Sequence, residues 1–329
     1  MNTLARPLPL RVALAVMVLV PLMMAAGLAS SRALEARTAA ADAHDLQTLA
    51  DLGLLLGDLL HETQIERGET ALFVNSAGEQ FGAELRQQYG KTDAIREEVL
   101  NFVDVNRDEI ASAVSTELDV ALQELEQIDR HRSDAIGLAV PSGELLAYYT
   151  HMNGEFLHTI ATVTTLTTDA DLRNDITAYV TFLNGKERSG IERAQLATVF
   201  SNDGYAPGQL SVVASLISVQ DAYFSFFEEL ATDSALEFYQ QRQADPVVAD
   251  VARLETVALS TDTADPDFVG FGVDATAWFN LMTERIDLLK EVEDFQADQI
   301  REGAAQYASS ATTAFWTTQS SPACSGWSR

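Results

Sequence analysis

Cysteine is nearly missing from this chain: one residue, Cys324, among 329. That excludes a disulfide framework, a cysteine metal cluster and a thiol redox pair, so stability has to come from packing. Basic residues are scarce too, 21 against 49 acidic, and a formal charge of −28 repels nucleic acid and anionic membrane surfaces. Nucleic acid is therefore not expected as a partner. The few histidines, His44, His61, His131, His151 and His158, are scattered. The run His61-Glu62-Thr63-Gln64-Ile65 starts like a zinc-protease helix but has Ile65 where the second histidine must lie one turn on, so no metal site is expected. With no glycine-rich phosphate loop, nucleophile elbow or Ser/His/Asp order, neither an enzyme nor a cofactor is expected. The 47% hydrophobic content argues for a folded protein.

The N-terminus carries Arg6 and Arg11 in a basic segment, residues 1–11, expected on the cytoplasmic side. An uncharged run from Val12 to Ala29 follows, about the minimum length for a membrane-spanning helix. A cleaved signal peptide is the rival reading, because Gly27 and Ala29 form a small-residue pattern before Ser30. Both readings export the rest of the chain. The length of the run, and its passage straight into a helical pattern at Ala33, favour an uncleaved anchor over residues 12–30.

From Ala33 to about Ser76 an uninterrupted helical rhythm predicts one long helix, broken at Ser76-Ala77-Gly78. Further helices are predicted over Phe81–Asn106, Glu109–His131, from Ser142, from Asp169 to Phe200, over Gln209–Leu230, Ala235–Leu259 and Ala275–Tyr307. Thr261–Asp274 reads as a surface loop. There is no convincing strand. The expected fold is all-α: two antiparallel bundles of the four-helix type sharing long helices, preceded by the N-terminal membrane helix. Residues 33–302 form the expected helical domain, and residues 303–329 lose the helical period and read as an irregular tail left by truncation or a frame change.

Three arginines stand out within this pattern. Leu56, Leu60, Thr63, Arg67, Thr70 and Val74 share one helical stripe, which sets Arg67 among apolar residues. Arg193 lies on the line Tyr179, Leu183, Lys186, Gly190, Ala197, Phe200, and Arg285 on the line Trp278, Met282, Leu289, Val292. A buried guanidinium keeps its proton, so each needs a carboxylate, carbonyls, an anion or a route to water. If the bundle gathers all three, they repel one another unless an anion lies between them, and the planar guanidinium fork suits a small planar oxyanion. The alternative is a helical interaction or scaffold protein in which carboxylates such as Glu66, Glu187 or Glu284 neutralise each arginine.

The segment around Glu66-Arg67-Gly68, the Gly78-to-Thr92 stretch with Phe81, the KERSGIERA segment at Lys186–Ala194 and the WFNLMTERIDLLKEVED segment at Trp278–Asp294 together resemble the nitrate- and nitrite-sensing (NIT) domain, over roughly Leu49 to Ile300. The resemblance implies two four-helix bundles and, in most members, the extracytoplasmic sensor of a membrane receptor, expected as a homodimer; some members are soluble regulators of antitermination. It implies nitrate or nitrite as ligand, held by Arg67 and Arg193, with Arg285 and the Thr70 hydroxyl as further donors. A receptor of that layout has a second membrane helix and an output module, which this chain lacks as written.

Overall fold

A computed structural model describes residues 10–166, 169–260 and 268–319 of the chain. Among them ten helices occur in order: α1 (Leu10–Asn75), α2 (Gly82–Asn106), α3 (Ser112–Leu125), α4 (Ile128–Ile136), α5 (Ser142–Leu166), α6 (Ala170–Ser201), α7 (Gln209–Leu230), α8 (Asp233–Gln243), α9 (Pro246–Ser260) and α10 (Ala275–Gln319). The chain divides into two compact units, Thr48–Gly303 and a second made of Met1–Gln47 with Ala304–Arg329.

The larger unit holds two four-helix bundles, α1–α5 and α6–α10, and in each the third helix is broken in two. The expected helix over Glu109–His131 divides after Leu125, where the N–H groups of Gln127 and Arg130 close tight turns on Glu124 and Gln127 at 3.1 Å each. That bend re-aims α4, and its Arg132 reaches α1. The expected helix over Ala235–Leu259 divides at Ala244-Asp245. Pro246 has no N–H to offer and starts the next helix, while Asp245 accepts from the Val247 N–H at 2.9 Å. Asp169 caps α6, accepting from the Leu172 N–H at 2.9 Å. Gly78, at φ 82, turns the chain after α1, a conformation that suits glycine.

The second bundle is filled by Phe182 of α6, Phe224 and Phe227 of α7, Tyr239 of α8, and Leu289 and Val292 of α10. In the first, Tyr149, Met152 and Phe156 of α5 and Leu118 and Leu125 of α3 are buried together with Leu56 and Leu60 of α1. Two helices are enclosed on every side: no residue of α1 from Thr48 to Val74, nor of α6 from Asp175 to Phe200, is exposed. All-round burial normally calls for an all-apolar helix. Instead these two bury Glu66, Arg67, Lys186, Glu187, Glu192 and Arg193 at 1% exposure or less.

The N-terminal run is helical and continuous with α1, and from Met17 to Leu28 its described side chains are exposed. Among described residues the helix long and apolar enough to cross a bilayer is α7, with mean hydropathy 1.4, and its Val213, Phe224 and Phe227 pack into the second bundle. The described N-terminal apolar stretch, Met17–Arg32, is shorter. One expectation is corrected at the far end. α10 does not stop near Tyr307 but continues to Gln319, since Ala311 and Ala314 favour a helix and no proline intervenes before Pro322. Residues 1–9, the first half of the loop at 261–267, and 320–329 with Cys324 lie outside the described residues; Phe268–Asp274 is irregular, as expected.

Candidate anion site

The helical stripe that carries Arg67 is buried as its spacing predicts, with Leu56, Leu60, Thr63, Arg67 and Thr70 all at 1% exposure or less. Arg67 meets Glu187 of α6 with both ends of its fork, Nη1 to Oε1 at 2.5 Å and Nη2 to Oε2 at 3.1 Å, and Nη1 also donates to Thr150 of α5 at 3.1 Å. Gln64, one turn earlier on α1, donates Nε2 to the same carboxylate at 2.8 Å. Nε of Arg67 makes no hydrogen bond.

Arg193 is fully buried and differs in one respect: among described residues no carboxylate lies within ion-pairing distance of it. Its Nη2 donates to the backbone carbonyl of Gln64 at 3.0 Å, its Nη1 to Thr283 of α10 at 2.9 Å, and its guanidinium lies 4.6 Å from the Phe279 ring centre. Trp278 donates Nε1 to the Arg193 carbonyl at 3.0 Å. Burial, and then the neighbouring Arg67 charge, pull Arg193 down to about 10.

Two glycines make this approach possible. A Cβ at Gly190 would lie 2.7 Å from Nη2 of Arg67, and a Cβ at Gly68 would lie 2.9 Å from Nη2 of Arg193. Each guanidinium thus rests on the glycine beside the other arginine, Gly68 directly after Arg67 and Gly190 one turn before Arg193. A cavity of about 450 Å³ between α5 and α6, lined by Leu146, Ala147, Thr150, Ile191 and Gln195, reaches Arg67. A second, of about 330 Å³, lies beyond Thr150 and is lined by His158, Asn184, Glu187 and Arg188.

The other two expected donors sit elsewhere. Arg285 is buried on its predicted stripe but turns to α9, where Nη1 meets Glu255 at 2.8 Å. Next to this pair Glu192 is fully buried; burial and the adjacent Glu255 push its carboxyl well up. Thr70 faces α2, with its hydroxyl beside Tyr89. Of the carboxylates weighed as arginine partners, Glu187 does hold Arg67, whereas Glu66 is taken by Arg132 of α4 (Nε to Oε1 and Nη2 to Oε2, both 2.8 Å) and by the Tyr149 hydroxyl at 2.6 Å. His61 is buried with Nδ1 3.3 Å from Lys186 Nζ, and Lys186 pairs with Glu293 of α10.

Gln64, Thr150, Thr283 and Phe279 are not apparent from helical spacing. Gln64, Phe279 and Thr283 sit among the segments that carry the resemblance; Thr150 is a single hydroxyl residue with no local pattern to mark it. Arg132 lies one residue beyond the helix expected over Glu109–His131, and nothing in the local pattern singles it out.

A family model described as nitrate and nitrite sensing matches residues 58–301. The nitrate regulatory protein of Klebsiella oxytoca is 25% identical over 254 residues, 76% of this chain; the chain spans only 62% of that protein's length. The solved structure of the NasR transcription antiterminator superposes with a TM-score of 0.73 at 20% identity, covering 85% of this chain and 80% of that one. That likeness speaks for the fold. With four motifs in order and the two-bundle fold in place, the chain belongs to the nitrate- and nitrite-sensing (NIT) family.

Proposed function

We propose that this protein senses nitrate or nitrite by holding the anion between α1 and α6, with Arg67 and Arg193 as the binding residues. The observation that carries this reading is the state of Arg193: a fully buried guanidinium with no carboxylate within ion-pairing distance among the described residues, set against a second arginine. A buried unpaired charge is costly and is relieved by a counter-ion. A planar oxyanion meets that need and can accept paired N–H donors from both forks. The cavity between α5 and α6 offers a path to Arg67. Arg285, already neutralised by Glu255, and Thr70, turned toward α2, stand outside the site.

No bond is made or broken in this function, and no metal or cofactor is required. The anion would act through its differential affinity for the arrangement in which the two arginines are closest. The chain is read as the sensor portion of a membrane receptor, homodimeric and facing the extracytoplasmic side; the exposed apolar face from Met17 to Leu28 supports the anchor. Its −28 charge supports an absence of nucleic-acid contact. The test is thermal unfolding of the full chain in detergent. Millimolar nitrate should raise Tm over chloride at equal ionic strength, and Arg67→Ala should abolish the rise.

A second reading, a scaffold with structurally paired arginines, is favoured by the Arg67–Glu187 and Arg285–Glu255 pairs. It predicts no nitrate-specific shift at all, with Arg67→Ala merely lowering Tm.

A further inference from the structure

We infer that Glu187 is a tethered competitor for the ligand, an oxyanion built into α6 that fills the Arg67 fork until a free anion replaces it and thereby sets the affinity of the site. The inference rests on the nitrate or nitrite reading above and adds the means by which the same site is held closed.

The geometry around Glu187 is that of a bound anion. Its carboxylate is planar, bears one negative charge, and receives three N–H donors: Nη1 and Nη2 of Arg67 at 2.5 and 3.1 Å and Nε2 of Gln64 at 2.8 Å. Both side chains of the ion pair are excluded from water, at 1% and 2% exposure. Nitrate and nitrite share the flat shape and single charge of a carboxylate, so the donors that hold Glu187 are the donors a free oxyanion would want. The two cannot occupy the Arg67 fork together.

The structure also provides somewhere for Glu187 to go. Its side chain already borders the 330 Å³ cavity, whose wall includes Arg188 and His158, while the cavity on the other side of Thr150 reaches Arg67. A free anion approaching from one side therefore displaces the carboxylate toward the other. Gly190, a turn along α6, keeps the Arg67 guanidinium free of side-chain crowding during this exchange.

Charge decides the direction of the effect. With Glu187 in place, Arg67 and Arg193 share one carboxylate within ion-pairing distance among the described residues; with it swung out, the anion meets both. Displacing the tethered carboxylate costs part of the anion's binding free energy, so the wild-type site is weaker than its donor set alone would give. The neighbouring residue Lys186 pairs with Glu293 of α10, so the shift of α6 that accompanies the exchange has a direct contact through which to reach α10.

The test uses nitrate titrations by calorimetry on the full chain in detergent, with chloride as control, comparing wild type, Glu187→Gln and Glu187→Asp. Gln removes the charge but keeps the shape and can still accept a hydrogen bond from Arg67; Asp keeps the charge on a shorter stem that holds the fork less well. The expected result is nitrate affinity at least tenfold tighter for Glu187→Gln and an intermediate gain for Glu187→Asp. In Glu187→Gln, formate should also compete with nitrate, because a fork met only by a neutral amide is open to a free carboxylate. If nitrate binds the wild type and both variants equally, or binds the variants more weakly, Glu187 is no competitor although the anion site stands. If nitrate binds none of the three, the site reading itself fails and the competitor falls with it. Should Glu187→Gln not fold, the Asp variant decides by the same comparison.

Discussion

Arg193 donates Nη2 to the backbone carbonyl of Gln64 at 3.0 Å, so the second arginine of the pair is anchored on the helix that carries the first. Gln64 in turn donates its side chain to the carboxylate that neutralises Arg67. The two guanidinium groups are thus joined through one residue, yet among the described residues only Arg67 has a carboxylate within ion-pairing distance.

Arg193→Met should raise the stability of the ligand-free protein while erasing its response to nitrate. Methionine is similar in reach, removes the unpaired buried charge and keeps the packing on Phe279. Replacing buried charge by an apolar side chain is often neutral to stabilising by about 1–4 kcal/mol, and the lost hydrogen bonds to Thr283 and Gln64 place this case near the lower end. Urea unfolding with and without nitrate measures both effects; a marked loss of stability would mean that Arg193 is structurally compensated.

Arg285→Gln serves as the contrasting variant. The lost pair with Glu255 is partly exposed, at 9% and 14%, so a cost of about 1 kcal/mol is expected. The nitrate-dependent rise in Tm should persist unchanged, because Arg285 faces α9 and not the Arg67–Arg193 pair.

Gly190→Ala should weaken the nitrate response. The new methyl would lie 2.7 Å from Nη2 of Arg67, and a guanidinium at the end of a flexible stem gives way before the helix does. Arg67 is then pushed off Glu187, at about 1–3 kcal/mol of stability typical of overpacking. A variant with wild-type Tm and wild-type nitrate affinity would refute the close approach.

Arg132→Met should be the most destabilising of these substitutions, by about 3–5 kcal/mol, because it strands Glu66, which has 0% exposure, with only the Tyr149 hydroxyl beside it. Arg132→Lys should recover little, since an ammonium cannot reproduce the two-point contact with Glu66. Chemical denaturation of the three proteins gives the ranking directly.

Stability should fall as pH rises from about 4.5 to 7 through Glu69. Burial, opposed by the Arg193 charge, lifts its carboxyl to about 7. The folded state then holds a proton in this window that the unfolded chain has released, so the unfolded state binds fewer protons and the slope is negative. Allowing for the partial exposure of Glu69, the loss is on the order of 1 kcal/mol. Glu69→Gln should flatten that part of the profile relative to wild type when unfolding is measured at pH 5, 6, 7 and 8.

Helical spacing was enough to bury Arg67, Arg193 and Arg285, because a side chain's angle around its own helix follows from 3.6 residues per turn and from nothing farther away. For the same reason the all-α fold, the Asp169 cap and the turn at Gly78 could be read from local residues. The breaks after Leu125 and at Ala244-Asp245 were missed in different ways. Pro246 signalled the second, while the first carries no proline or glycine and serves to bring Arg132 onto Glu66 of α1. What each arginine meets is a matter of which helices are packed together. Glu187 closes on Arg67 from 120 residues away and Glu255 on Arg285 from 30, while Arg193 draws Thr283 from 90 residues away and no carboxylate. Equivalent stripes, indistinguishable along the chain, became one neutralised charge in the second bundle and two neighbouring charges between α1 and α6, because the partner of a buried ion is chosen by long-range packing and the local period carries no record of it.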